Sequence, residues 1–356
     1  MDKLKDILEF HVKKYPKMQP CDAVKLIFQN EFGGRHLAED GAGSLAALRE
    51  ELARVSSDRR QQENGLIAEE IGNGRVRLNL SAVDPAVLPM ACIHAIFMAS
   101  SQKSDGRMAS FFEKLAVLET AAARGWFGFT AADLQSYIKA YKAKGCPPVH
   151  HSAEFQEAYA PAYRVIDGRY IRILPVIAKI SRLLCLKEQV IVGIDGNAAS
   201  GKSTAANLLA QVFDANIISM DDFFLPGALR TKPRLDEIGG NVHYERFKAE
   251  VIDALKKRTT FKYRVFDCSK LDYAGEKTID PKPLNIIEGA YSMHPYFGDV
   301  YDLKVFFSIS EMDQSHRILV RNGENMYKKF AELWIPMENR YFNHYNIKDN
   351  CDISIE

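Results

Sequence analysis

In Val190-Ile-Val-Gly-Ile-Asp-Gly-Asn-Ala-Ala-Ser-Gly-Lys-Ser-Thr204 an apolar, β-branched run ends in a glycine-framed loop that continues into good helix formers. Gly196, Gly201, Lys202 and Ser203 complete the spacing G-x-x-x-x-G-K-[ST], and the flanks supply the strand and the helix that phosphate binding by such a loop requires. A loop of this kind turns successive backbone N–H groups inward. Asn197, Ala198, Ala199, Ser200 and Thr204 therefore join the motif residues around phosphate oxygens, at the N-terminus of the following helix. The Lys202 ammonium reaches the outer phosphates, and the Ser203 hydroxyl is placed to ligate Mg²⁺. The spacing predicts a nucleotide site.

From about residue 187 onward, short β-branched runs alternate with helical patterns, which predicts an α/β domain with a mostly parallel sheet. The candidate strands are Val190–Ile194, Asn216–Ser219, Phe261–Phe266, Leu284–Ile287, Leu303–Ile309 and Asp352–Ile355. Helices are expected over Lys202–Phe213, Tyr244–Lys257 and Glu311 to about Arg321. Ligands of such sheets gather at the carboxyl ends of the strands, and the remaining polar signals fall there. Ser219-Met-Asp-Asp-Phe-Phe-Leu-Pro226 places two carboxylates at a strand end beside the phosphate loop. One of them could take the proton of an attacking hydroxyl, and Asp221 is preferred to Asp222 for that role. In Asn285-Ile-Ile-Glu-Gly289 an apolar strand closes on Glu288, which is expected to face the Mg²⁺ shell. Arg317 and Arg321, four apart on one helix face, can close over a nucleotide; a solvent-facing pair would have the same spacing.

The phosphate loop, Asp221-Asp-Phe-Phe224, Gly239-Gly-Asn-Val-His-Tyr-Glu-Arg-Phe247, Ile287-Glu-Gly289 and Arg317 to Arg321 occur in the order found in the uridine kinase/phosphoribulokinase-like P-loop kinases, and this part of the chain resembles that family. The Asp-Asp-Phe-Phe run is similar to that of its nicotinamide riboside kinase branch. The resemblance spans about residues 188–356. It implies a P-loop NTPase-type three-layer fold and ATP- and Mg²⁺-dependent phosphorylation of a hydroxyl on a small metabolite. By the same match Asp221 takes the base position, Glu288 the acidic magnesium position, and Arg317 and Arg321 the lid positions. Where uridine kinases hold the ribose with an aspartate, this chain has His243 nearby, and Val265-Phe-Asp-Cys-Ser-Lys-Leu271 lacks their tyrosine and histidine around the base. These departures point away from uridine. Asp222, Arg230, Arg234, His243 and Tyr244 are the candidate substrate contacts, and the cations among them suit a carboxylate or a phosphate.

Residues 1–186 show mainly helical patterns and no family resemblance. Ser44 is expected to cap a helix bearing Leu45, Leu48, Leu52 and Val55, and Thr130-Ala-Ala-Asp133 opens another with Leu134, Tyr137, Ile138 and Tyr141 on one face. Met108, Phe111, Phe112, Leu115 and Leu118 form a third stripe, and alternation over Gly74–Leu80 suggests a short strand pair. Two polar clusters, Glu31-Phe-Gly-Gly-Arg-His36 and His150-His151-Ser152, could line a pocket or be a helix-ending turn and surface hydrogen bonding. The spacing of His36, His150 and His151 matches no metal-ligand template, so no metal is assigned there.

Composition bounds the remaining choices. The 356 residues suggest two or three domains, and 47% hydrophobic with 26% charged residues is an ordinary globular balance. A formal net charge of +1 gives no electrostatic footprint for nucleic acid; the short basic runs Lys13-Lys14, Arg59-Arg60 and Lys256-Lys257-Arg258 are expected on solvated helix faces. Six cysteines without C-x-x-C pairing, acids within the first ten residues and the absence of a spanning-length apolar run lead to the expectation of a cytoplasmic protein with no membrane partner. The partner expected is a small-molecule substrate, with homo-oligomerisation left open. Beside the two-domain kinase stand two alternatives: a nucleotide-dependent switch whose helical half binds a partner, and a bifunctional enzyme with Glu31, His36 and His150 in a second site.

Overall fold

The computed structural model describes residues 2–38, 40–55, 66–102 and 106–356. The Arg59-Arg60 run lies outside the described residues. The chain divides into two compact units, Met1–Arg172 and Ile173–Glu356, and the division falls inside the helix Arg169–Leu186.

In the first unit, helices surround a three-stranded antiparallel sheet of β1 (Ala68–Gly72), β2 (Arg75–Asn79) and β3 (Tyr163–Asp167), in the order β1-β2-β3. The alternation at Gly74–Leu80 was thus the middle of a sheet. Its third strand comes from Tyr163-Arg-Val-Ile-Asp167, which the helical reading passed over because five residues are too few to establish a period. Leu8, Val24, Ile27, Phe28, Phe111, Leu115, Leu134 and Ile138 form the core. Met108 and Phe112, placed by periodicity on the buried stripe, are exposed. Thr130 caps Ala131–Ala143 with Asp133 reciprocating, as the capping box predicts. Ser44, by contrast, does not cap: Asp40 accepts from Ala42 N at the start of Gly41–Arg54, and Ser44 lies inside that helix, buried on the same stripe as Leu48 and Leu52. An aspartate one turn earlier outcompeted the serine for the cap.

Two histidines of this unit are interior. His11 is fully buried with Nε2 on the Glu70 carbonyl at 3.0 Å. His151 lies between Asp22 (Nδ1 to Oδ1, 2.7 Å) and the Tyr163 hydroxyl (Nε2, 2.7 Å). Burial lowers both pKa values to about 4, with Arg77 acting in the same direction and the Asp22 hydrogen bond opposing at His151. In the unfolded chain both titrate near the ordinary 6.5, so between roughly pH 6.5 and 4 the unfolded state binds more protons and acid favours it. The first unit should therefore lose on the order of 2–3 kcal/mol per histidine as pH falls through that window. Trp126 packs against this unit's core, and with Trp334→Phe it becomes the sole tryptophan reporter. A urea midpoint for Trp126 that is the same at pH 7 and pH 4.5 would contradict the assignment.

The second unit is built on a five-stranded parallel sheet of β4 (Val190–Gly196), β5 (Ala215–Ser219), β8 (Leu284–Glu288), β9 (Leu303–Phe307) and β10 (Ile353–Ile355), in the order β10-β9-β4-β8-β5. All four pairings are parallel. The central strands β4 and β8 are buried almost throughout, as strands covered on both faces must be, which explains their unbroken apolar runs. Phe261–Phe266 is a strand but not of this sheet. It belongs to β6 (Phe261–Asp267), which forms an antiparallel hairpin with β7 (Asp272–Ile279). The polar, largely exposed β7 lacks the apolar run by which the sheet strands are recognised. The helix expected over Tyr244–Lys257 is present as one helical stretch with a π segment at Lys248–Ile252. Among the described residues no helix is long and apolar enough to cross a membrane.

Candidate functional site

The phosphate loop leaves β4 at Gly196 and closes at Gly201, which precedes the helix Lys202–Val212. Gly196 (φ +135°), Ala199 (+60°) and Gly201 (+105°) take positive φ, the backbone alternation that turns amides into a concave anion nest. The loop is pinned from several sides. Asn197 N donates to the Phe307 carbonyl at 3.0 Å, Ala198 N to Glu338 Oε2 at 3.0 Å, and Gln314 Nε2 to the Ala198 carbonyl at 3.0 Å. Below it, fully buried Asp195 accepts from Gly196 N (2.7 Å), Met293 N (3.0 Å) and the Tyr341 hydroxyl (2.9 Å). Burial raises Asp195 to about 6 and Glu338 to about 7, against the pull of Lys202 and of their backbone donors. Asp195, Gln314, Glu338 and Tyr341 were not singled out from sequence. An acid between the apolar run 190–194 and Gly196 was a usable signal for Asp195; Glu338 and Tyr341 had none, being more than a hundred residues from the segment they hold.

A cleft of about 830 Å³ opens over this loop. Ala198, Ala199, Gly201, Lys202, Ser203 and Thr204 line it, and so do Asp221, Arg230, Glu288, Arg317 and Arg321. Lys202 Nζ donates to the carbonyls of Gly196 (2.7 Å) and Asn197 (2.8 Å). Ser203 Oγ donates to Glu288 Oε2 at 2.8 Å, which puts the two expected magnesium donors side by side. Glu288 is buried, and that burial raises its pKa against the Ser203 hydrogen bond, with the Asp221 charge adding to the rise. Asp221 is solvent-exposed and lines the cleft. Its pKa is raised by desolvation, opposed by Lys202 and Arg321 and reinforced by Asp222. Arg317 reaches the Ala199 carbonyl at 3.2 Å.

Other candidates are committed elsewhere. Asp222 is buried and pairs with Lys277 Nζ (2.7 Å) and the Tyr263 hydroxyl (3.1 Å), fixing the β6–β7 hairpin. Arg234 forks onto Glu245 (2.7 and 2.8 Å) and lies over the Tyr244 ring at 3.8 Å. His243 caps Tyr244–Phe247, its Nδ1 accepting from Arg246 N. None of Arg234, His243 and Tyr244 lines the cleft. In the first unit Glu31 holds Arg107 N, Ser110 Oγ and Lys114 Nζ, His36 packs edge-on against Phe28, and His150 lines a separate cleft. The proposed trio of Glu31, His36 and His150 is thereby distributed over different surroundings.

Fold and loop together define residues 173–356 as a phosphate-loop α/β unit. No family model and no curated protein matches the chain. Among solved structures it is similar to a possible uridine kinase from Bacillus stearothermophilus, at 18% identity over 51% of this chain and 99% of that one, with a TM-score of 0.38. It is also similar to a D-glycerate 3-kinase from Cryptococcus neoformans var. grubii serotype A, at 13% identity over 46% of this chain and 84% of that one, with a TM-score of 0.33.

Proposed function

We propose that residues 187–356 form an ATP-dependent kinase that transfers the γ-phosphoryl group to a hydroxyl of a small metabolite. The observation that carries this reading is the placement of Asp221, a carboxylate of raised proton affinity, in the same cleft as Lys202, Ser203 and Glu288. A nucleotide switch has no need of an acceptor-side base. Adjacent hard oxygen donors at Ser203 and Glu288, beside an anion nest, fit a Mg²⁺ ion that keeps most of its shell for water and phosphate. When bound, Mg²⁺ neutralises charge on the bridging and terminal phosphate oxygens.

The chain's own residues do the rest. Lys202 and the loop amides beyond Asn197 and Ala198, whose own N–H groups are held by Phe307 and Glu338, bind the phosphates, Asp221 aligns the acceptor hydroxyl and takes its proton, and Arg317 and Arg321 offset charge on the transferring group. The acceptor oxygen bonds to the γ-phosphorus as the bond from that phosphorus to the β–γ bridging oxygen breaks, and ADP leaves. Phe224, Phe266, Tyr291 and Arg230 also line the cleft. The Arg230 cation suits an acceptor that bears a carboxylate or phosphate. ADP release from ATP and Mg²⁺ should rise well above background with one class in a panel of ribosides, sugars, polyols, hydroxy acids and sugar phosphates. Tight ATP binding with no stimulation anywhere on that panel would sink the kinase reading in favour of the switch.

A further inference from the structure

The first unit carries a second cleft, of about 540 Å³, assembled from three separate stretches of chain. Lys25 comes from the helix Pro20–Phe32, Glu51, Arg54 and Val55 from the end of Gly41–Arg54 and just beyond, and the opposite wall from His150 to Ala162. Its back is a continuous hydrogen-bonded array. Asp22 accepts from His151 Nδ1 and from Ser152 N and Oγ (3.0 and 2.6 Å), the Tyr163 hydroxyl donates to His151 Nε2, and Gln29 links Tyr163 to the Arg77 guanidinium (2.9 and 2.7 Å). Both ring nitrogens of His151 are therefore taken, and it is a positioning residue.

Lys25 is different. Its Nζ donates to the Val149 carbonyl at 2.7 Å, and among the described residues no carboxylate forms an ion pair with it. An ammonium has three donors, so one bond leaves two. The carboxylates that act on it are engaged elsewhere: Asp22 in the array, and Glu51 in an ion pair with Arg164. Burial, with the Arg77 charge acting in the same direction, lowers Lys25 to about 8 against the pull of Asp22, Cys21 and Glu51. A cation is thus held in a cleft wall at a desolvation cost that its protein neighbours offset only in part. Arg54, paired among the described residues with its exposed neighbour Glu50 at 3.1 Å, and exposed His150 add donors at the rim.

We propose that this cleft is a second ligand site, taking a small molecule that bears a phosphate or carboxylate group, with Lys25 making the charge-assisted contact and Arg54 and His150 at the rim. It stands apart from the kinase reading, and either can fail without the other. The test is calorimetric titration of the full chain with inorganic phosphate and with succinate, in a Lys202→Met background so that the phosphate loop does not compete. At least one anion should bind saturably. Lys25→Met should weaken that binding by about tenfold, the loss of one hydrogen bond between charged groups, and Lys25→Arg should retain it. Because an anion raises the Lys25 pKa, succinate binding at pH 8 should take up protons, read as a difference in enthalpy between two buffers of different ionisation enthalpy. Saturation by phosphate alone identifies a phosphate ligand, and by succinate a carboxylate. The proposal is overturned if neither saturates, or if the isotherms with and without Lys25→Met superimpose. Should Lys25→Met unfold, Arg54→Gln on the exposed rim takes its place, and an unchanged isotherm there overturns it equally.

Discussion

Asp221→Asn should lower kcat by about 10³-fold, within the range that a positioned general base contributes, while nucleotide affinity stays nearly unchanged. The substitution keeps shape and hydrogen-bonding capacity but removes the ability to take a proton. Its neighbour provides the control. Asp222 has its carboxylate on Lys277 and Tyr263 in the interior, so Asp222→Asn should act mainly on stability, by roughly 1–3 kcal/mol from the buried partners left unpaired. The pH profile separates the two further. Because desolvation raises the Asp221 pKa, the wild-type rate should climb with pH through a value above that of a free aspartate as the base loses its proton. That limb should vanish in Asp221→Asn and persist in Asp222→Asn. Equal transferase rates for wild type and Asp221→Asn would remove the residue from the base position.

Gly196→Ala should destabilise the second unit by about 3 kcal/mol or more and abolish nucleotide binding. A Cβ at this position would stand 2.0 Å from the Phe307 carbonyl oxygen and 2.7 Å from the Phe307 carbonyl carbon and nitrogen, all backbone atoms of the neighbouring strand. The φ of +135° adds strain for any side chain. Relief requires opening the β4–β9 ladder where Gly196 pairs with Phe307 and where Asn197 N meets the same carbonyl. Gly201→Ala makes the comparison. Its φ is also positive at +105°, but a Cβ there meets nothing within 4 Å, so the cost is conformational alone, about 1–2 kcal/mol. Urea midpoints for the two variants, followed by Trp334 fluorescence in a Trp126→Phe background, should differ clearly; a Gly196→Ala midpoint equal to that of the background would refute the steric argument.

What could be read from the sequence follows physical locality. The phosphate loop was legible because its mechanism fixes glycines, a lysine and a hydroxyl within eight consecutive residues. The strands β4, β8 and β9 were legible because burial on both faces demands unbroken apolar runs. Glu288 was singled out because it closes such a strand, and Asp221 because it follows the short edge strand β5 by two residues. Arg234, Tyr244 and His243 show the limit of that logic. They are polar, clustered and near the right strands, yet Glu237 and Glu245 are close enough in sequence to take them up: Arg234 is bound to Glu245, and Glu237 accepts from the Tyr244 hydroxyl at 2.8 Å. Counting cations without counting the carboxylates that neutralise them overstates a binding surface. Glu338 and Gln314 show the converse, since their partners in the loop lie 140 and 116 residues away and no local pattern encodes the meeting.

That separation bears on how the protein is made. A chain leaving the ribosome presents the glycine-rich loop long before the carboxylate that will hold Ala198, and before β9, whose Phe307 carbonyl holds Asn197. During that interval the loop lacks two of its backbone anchors, and β4 lacks its β9 neighbour. At about 5–20 residues per second, the 140 residues that separate Ala198 from Glu338 take on the order of ten seconds to synthesise. A nascent chain stalled before residue 338 should therefore be unable to hold ATP, and the second unit becomes competent only when its closing helix, Ile335–His344, is in place.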